Sequence, residues 1–336
     1  MAAVTTQSLY NSLGLTHNVS KTSSGSEVHS YTSDLGPETP ILTLIHGYPQ
    51  SAYEWRKVVP ALKGKISLFV PELPGYGIST PIKDKDANTK RAVGTALIES
   101  LASVFNTSQT PRRVILGGHD RGARICHRLA VDFSYPPAAS SSTSPYSELN
   151  LTVIGTILLD IVPTLAQWTA FADPAISQGY FHWPLLANAD MAVDIISAYG
   201  GARWCREAHL RIGGPNPESA ARISSDGALD VYAESFDKKE TLYYSALDYA
   251  AGAAPEANEQ KKDQEQGRKV KVPILVMFSK AKLGARIDVA GVWKDWVSEG
   301  VDYQGVGVGE GYGHYLPEEA YDIVGPKIEE FVQKVA

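Results

Sequence analysis

Short apolar runs that stop at turn residues alternate along the chain with stretches of helical periodicity. Residues 40–46 (PILTLIH), 66–71 (ISLFVP), 113–117 (RVILG), 152–159 and 270–278 are such runs, and 305–308 is a weaker one. Short β-rich runs without polar alternation predict strands buried on both faces, as in a parallel sheet. Residues 86–105 carry apolar positions at helical spacing, and 121–133 read as a helix directly after the 113–117 strand. Strands alternating with helices predict an α/β protein with a mainly parallel sheet. The first 39 residues are polar and rich in Ser, Thr and Gly, with one candidate outer strand at 26–31.

The pattern changes between about 165 and 265, where helical, aromatic-rich sequence replaces the buried runs. The charged, Gln-rich stretch 256–269 closes this segment, and residues 135–150 (YPPAASSSTSPYSELN) read as an exposed mobile loop. The predicted organisation is a core over 1–164, a helical cap or lid over 165–268 and a resumed core over 269–336. No internal repeat is visible.

Composition narrows the function classes. The chain has 336 residues, 43% of them hydrophobic and 20% charged, and a net charge of −6. That balance offers no electrostatic footprint for nucleic acid or an anionic membrane. Cys126 and Cys205 make no metal spacing and read as reduced, buried thiols. Residues 1–16 lack the basic and apolar regions of a signal peptide, and no apolar run approaches the roughly 20 residues of a membrane span. A cytoplasmic, soluble enzyme with no cofactor and no metal is expected, acting on a small molecule.

Gly117-Gly118-His119-Asp120-Arg121-Gly122 carries the chemistry. A buried strand enters a tight turn with glycines on both sides of one reactive residue, and a helix follows at once. That strained turn presents its central side chain to a cleft. Where Ser is usual, Asp120 stands here. A carboxylate suits displacement at a saturated carbon bearing a leaving group, through an alkyl ester released later. The bland alternative makes Asp120 only the N-cap of the helix. Gly311-Tyr312-Gly313-His314-Tyr315, near the C-terminus, supplies a base in His314. The acid that orients it could follow either of two strands. The 270–278 strand ends in Ser279-Lys280-Ala281-Lys282 with no acid, and Asp288 comes too late, whereas the 152–159 strand ends at Asp160, the residue chosen. The backbone N–H groups of Tyr48 (in His46-Gly47-Tyr48-Pro49) and Arg121 would form an oxyanion hole, with Tyr48-Pro49 a candidate cis bond.

HGYPQS followed by Trp55, PELPGYG, GHDRGAR, LDIVPT, FHWPLLA, DYAAGA and GHYLPEE occur in that order from about residue 40 to the C-terminus. This series resembles the fluoroacetate dehalogenases of the α/β-hydrolase superfamily, with epoxide hydrolases the next nearest relatives. The resemblance implies the α/β-hydrolase fold, a mainly parallel sheet flanked by helices with an inserted helical lid. It also implies Asp120 as nucleophile, His314 as base and Asp160 as its acid. Arg121 and Arg124 would bind a substrate carboxylate; His182, Trp183 and Tyr249 would stabilise a leaving halide. A homodimer is implied too. The chain departs from the family at Asp248-Tyr249-Ala250-Ala251, where a basic residue is missing, and the stretches 135–150 and 256–269 look inserted.

The expected activity is therefore hydrolysis of a short 2-halo acid. The alternative is an epoxide hydrolase with the same Asp120 and His314, using Tyr180, Tyr244 or Tyr249 as proton donors. It is disfavoured by an arginine next to the nucleophile that a neutral epoxide would leave unpaired. A non-catalytic receptor would have no need of Asp120, His314 and Asp160 together.

Overall fold

A computed structural model of the chain describes residues 5–137, 146–309 and 311–336. The core of the loop expected at 135–150, residues 138–145, lies outside these. Eight strands form one sheet: β1 (Thr16–Lys21), β2 (Glu27–Ser33), β3 (Ile41–Thr43), β4 (Ser67–Pro71), β5 (Arg112–His119), β6 (Leu151–Leu159), β7 (Ile274–Ser279) and β8 (Tyr303–Val308). Their spatial order is β1-β2-β4-β3-β5-β6-β7-β8. The first two pairings are antiparallel, and β4 through β8 run parallel. The expected mainly parallel sheet is present, with an antiparallel edge of which β1 was not foreseen.

The parallel strands alternate their side chains between two apolar layers, as the two-residue repeat of a strand demands. Ile41, Val114, Leu116, Leu158, Ile274 and Val276 face one core, with the elbow helix Arg121–Ser134 and the helix Lys90–Val104. Leu42, Ile115, Ile157, Leu159, Leu275 and Met277 face the other, beneath the C-terminal helix Tyr321–Val335. Because both faces are covered, these strands read in the sequence as unbroken apolar runs.

Between β6 and β7 the described chain contains no strand. It folds as a series of helices from Thr164–Ala170 to Ala254–Glu265. That last helix is the charged 256–269 stretch, which packs against the core. Glu256 accepts the Lys90 N–H at 2.6 Å, and the Gln260 carbonyl accepts the Leu165 N–H at 2.8 Å. Asp263 pairs with Arg128 at 2.5 Å. No helix among the described residues is long and apolar enough to cross a membrane.

Candidate active site

Parallel strands end on the same edge, so the residues just beyond their C-termini meet. β5 and β6 are paired with His119 opposite Leu159. The next residues, Asp120 and Asp160, therefore stand side by side, their N–H groups donating to Leu159 O at 3.1 Å and Met277 O at 2.8 Å. Both aspartates sit at positive φ, 45° and 53°, where an L-residue is strained. The turn at Asp120 closes only because the residues two positions to either side, Gly118 and Gly122, lack side chains. A β-carbon on Gly122 would lie 2.1 Å from Ile45 O, and one on Gly118 would lie 2.6 Å from the Gly122 backbone.

Asp120 occupies the N-cap position of the elbow helix but makes no side-chain cap hydrogen bond. Its Oδ2 instead accepts the Tyr48 N–H at 3.0 Å, and Oδ1 faces His314 Nε2 at 3.8 Å. Tyr48-Pro49 is a cis peptide. The plain capping role is thereby ruled out. Burial opposes ionisation of Asp120, yet the charges of His314, Arg121, His119 and Arg124 outweigh it and bring the carboxyl to about 2. It is a carboxylate at neutral pH.

His314 is held from its other side. Its Nδ1–H donates to Asp160 Oδ2 at 2.7 Å, and Asp160 Oδ1 accepts the Ser279 N–H at 2.7 Å. The imidazole is thus fixed in the tautomer that leaves Nε2 free toward Asp120. A further group, not singled out in the sequence, anchors the loop. His119 Nε2–H donates to His314 O at 2.8 Å while Nδ1 faces Glu54 Oε2 at 3.2 Å. Both ring nitrogens face acceptors, and although burial alone would lower it, the Glu54 carboxylate pulls the His119 pKa up to about 9.

These groups open onto a cavity of about 200 Å³ lined by Asp120, Asp160, His314, Arg124, Tyr48, His182, Trp183 and Tyr249, among others. The two arginines expected beside the nucleophile are not equivalent. Arg121 is fully buried and absent from the cavity wall. Its Nε pairs with Asp248, its Nη2 donates to Asp248 O at 2.8 Å, and its guanidinium lies 4.0 Å from the Tyr249 ring centre. Only Nη1 lacks a partner. Asp248 thus occupies most of Arg121, whose side chain lies behind the cavity wall rather than on it. Arg124 is the free one. Its Nη1 donates to Val162 O at 2.9 Å and Thr164 Oγ1 at 3.2 Å, the guanidinium lies 4.5 Å from the Trp183 ring centre, and Nε is unpartnered. Among the described residues no carboxylate lies in ion-pair range of it. Burial, then the charge of Arg121, lowers its pKa to about 10, which leaves it a cation at neutral pH.

His182, Trp183 and Tyr249 converge, with ring centres 5.6 Å apart for Trp183–Tyr249 and 6.0 Å for His182–Tyr249. Burial and the charge of Arg211 lower His182 to about 3, so it is a neutral imidazole, and its Nδ1 has no partner. Burial raises Tyr249 well above its usual range and keeps its O–H. Of the three tyrosines considered as epoxide donors, Tyr180 and Tyr249 line the cavity. Tyr244 does not, and packs its Cβ against Gly75. Three further cations at the cavity, Arg211, Lys282 and Arg286, were not singled out in the sequence. The dense basic run KAKLGAR after β7 was the one visible signal for Lys282 and Arg286, and Arg211 had none. No cluster of His, Cys, Asp and Glu suited to a metal occurs among the described residues.

Residues 40–153 match the family described as alpha/beta hydrolase fold. The chain is 30% identical to a fluoroacetate dehalogenase of Burkholderia sp over 258 residues, 74% of each chain. It is 25% identical to a soluble epoxide hydrolase of Corynebacterium sp. (strain C12), covering 83% of this chain and 85% of that one. A crystal structure from Nostoc sp PCC 7120, described as of the alpha/beta hydrolase kind, superposes with a TM-score of 0.78 at 25% identity. It covers 95% of this chain and 98% of that one.

Proposed function

The chain belongs to the α/β-hydrolase family and is a hydrolase related to both fluoroacetate dehalogenase and epoxide hydrolases; from that premise we propose that it is a hydrolytic dehalogenase of short 2-halo acids. The observation that carries this reading is Arg124, a buried guanidinium without a carboxylate partner, on the wall of the cavity into which Asp120 points. An uncompensated buried cation is costly unless an anion answers it, and a substrate carboxylate does so where an epoxide cannot.

The reaction runs in two halves. Arg124, with the free Nη1 of Arg121 behind it, holds the substrate carboxylate. Asp120 Oδ1 attacks the α-carbon, the carbon–halogen bond breaks and the halide leaves with the electron pair. His182, Trp183 and Tyr249 donate toward the halide. His314 Nε2 then takes a proton from water, whose oxygen attacks Cγ of the Asp120 ester. The charge on the ester oxygen is held by the Tyr48 and Arg121 N–H groups, and Asp160 stabilises the imidazolium. The alkoxide leaves as the 2-hydroxy acid, taking the proton from His314. The helices between β6 and β7 act as the lid, and the homodimer expected from the resemblance is open to sedimentation.

The second reading, epoxide hydrolysis by the same Asp120 and His314, draws on Tyr180 and Tyr249, which both reach the cavity. One experiment separates them: halide release from fluoroacetate and chloroacetate, beside diol formation from a panel of neutral epoxides. Halide release without diol formation is expected; diols without halide release would establish the alternative.

A further inference from the structure

The charges on the cavity wall do not balance. Among the lining residues Arg124, Arg211, Lys282 and Arg286 stand against two carboxylates, Asp120 and Asp160, an excess of two positive charges; Glu319 lies behind the wall, within electrostatic reach of Lys282 but outside ion-pair range. The excess lies at the outer end. Arg211 closes the helix Gly201–Ile212, whereas Lys282 and Arg286 follow β7. Among the described residues none of these three has a carboxylate within ion-pair range.

They are held in place by neutral groups instead. Arg211 Nη1 donates to Gly179 O at 3.1 Å, with its guanidinium 4.7 Å from the Phe181 ring centre. Arg286 lies 4.9 Å from the Tyr180 ring centre, against Gly179, where a β-carbon would come within 2.6 Å of Nη1. Lys282 Nζ donates to Arg211 O at 3.3 Å. Its backbone is fixed by Ser279 Oγ at 3.0 Å, the hydroxyl that also donates to Tyr312 O on the His314 loop at 2.7 Å. This rim is tied to the same strand end that orients Asp160. Exposed cations scattered on a surface need no explanation. Three like charges brought together at the mouth of one cavity repel each other, and the arrangement is stabilised by an anion placed among them.

Resting on the dehalogenase reading, we infer that the substrate carries a second anionic group, and that Arg211, Lys282 and Arg286 bind it while Arg124 binds the carboxylate next to the reacting carbon. A monocarboxylate answers one of the two excess charges; a dianion answers both. The substrate class is a 2-halo dicarboxylate of about the length of halosuccinate. The chemistry is that given above, with the halide displaced by Asp120 and the 2-hydroxy diacid released when water cleaves the ester.

Two measurements test this on the intact protein. Halide release is compared for 2-chlorosuccinate and its ester methylated at the distal carboxyl, in the wild type and in Lys282→Gln/Arg286→Gln. The expected kcat/KM is at least tenfold higher for the diacid, with that ratio falling below threefold in the double variant. A wild type that treats diacid and ester alike overturns the inference. So does a double variant that slows both equally, since the rim would then only attract anions in general. The second measurement needs no chemistry: calorimetric binding of succinate against monomethyl succinate. Succinate is expected to bind at least tenfold tighter, through the same two residues, and equal binding overturns the site. If succinate is preferred while no halide leaves any substrate, the rim site stands and the dehalogenase reading alone falls.

Discussion

Asp120, His314 and Arg124 each have one environment that decides what they can do. His314 has Nδ1 committed to Asp160 and Nε2 left facing Asp120 at 3.8 Å, without a hydrogen bond between them. In the proposed mechanism its task falls in the second half-reaction, so His314→Asn should form the Asp120 ester and fail to release it. Intact mass after incubation with chloroacetate should rise by the substrate less its halide; an unmodified mass with substrate still bound would contradict the order of steps. Arg124 isolates geometry from charge. Arg124→Lys keeps a cation but loses the planar fork that meets a carboxylate with two hydrogen bonds. Kinetics on haloacetate should show kcat/KM at least tenfold lower, in line with roughly 1.5–3 kcal/mol for a charge-assisted hydrogen bond. An unchanged value would remove Arg124 from the carboxylate site.

Among the elements, the helix Lys239–Ala251 is locked onto the core by one carboxylate. Asp248 pairs with Lys90 and with Arg121, and all three are buried. Asp248→Ala should therefore destabilise the protein by about 3–5 kcal/mol, since buried Arg121 loses its carboxylate and buried Lys90 keeps only Glu256 at 3.8 Å. Urea denaturation reads this, and a loss under about 1 kcal/mol would show that water or another group replaces Asp248. The elements themselves were legible in uneven measure. β3 to β7 show as apolar runs because both faces are largely buried, whereas β8, at the sheet edge with only Val308 buried, shows weakly. β1 (THNVSK) escaped, since only Ser20 among its residues is buried and its edge position leaves no hydrophobic alternation to read. The elbow, Asp160 and the His314 loop were legible because glycines and strand ends bind them to local sequence. The pairing of Arg121 was not legible, because its partner Asp248 lies 127 residues away. The rim cations come from two distant segments, a helix end and a loop, and isolated charges there have no period to betray a shared cavity.

Over the whole molecule, buried carboxylates set the response to pH. Burial raises Glu72 to about 7, helped by Glu54, and raises Glu54 to about 7 against the pull of His119. Glu72 finds no cation in His46: His46 Nε2 accepts the Leu73 N–H at 3.0 Å and burial lowers the ring to about 4, so their 3.4 Å contact joins a carboxyl to a neutral imidazole. A carboxyl raised in the folded state binds its proton more tightly there than in the unfolded chain. Its contribution to stability is full below about pH 4.5 and is lost as pH rises through about 7. Asp120 works in the opposite sense, contributing above about pH 4 and losing it only as pH falls toward about 2. The Tm should fall between pH 5 and 8.5, and Glu72→Gln, which keeps an acceptor for the Ala52 N–H, should flatten that fall. A variant as steep as the wild type would place the titration elsewhere.

The central claim is that Asp120 forms a covalent ester whose oxygen passes to the product. A single turnover of chloroacetate in ¹⁸O-water, with enzyme in excess, tests it most directly. Mass spectrometry of the peptide bearing Asp120 should show one ¹⁸O in its carboxylate, and the first-turnover glycolate should be unlabelled, its oxygen having come from the protein. Label found in the glycolate, with Asp120 unlabelled, would mean that water attacks the substrate carbon directly, and Asp120 would not be the nucleophile.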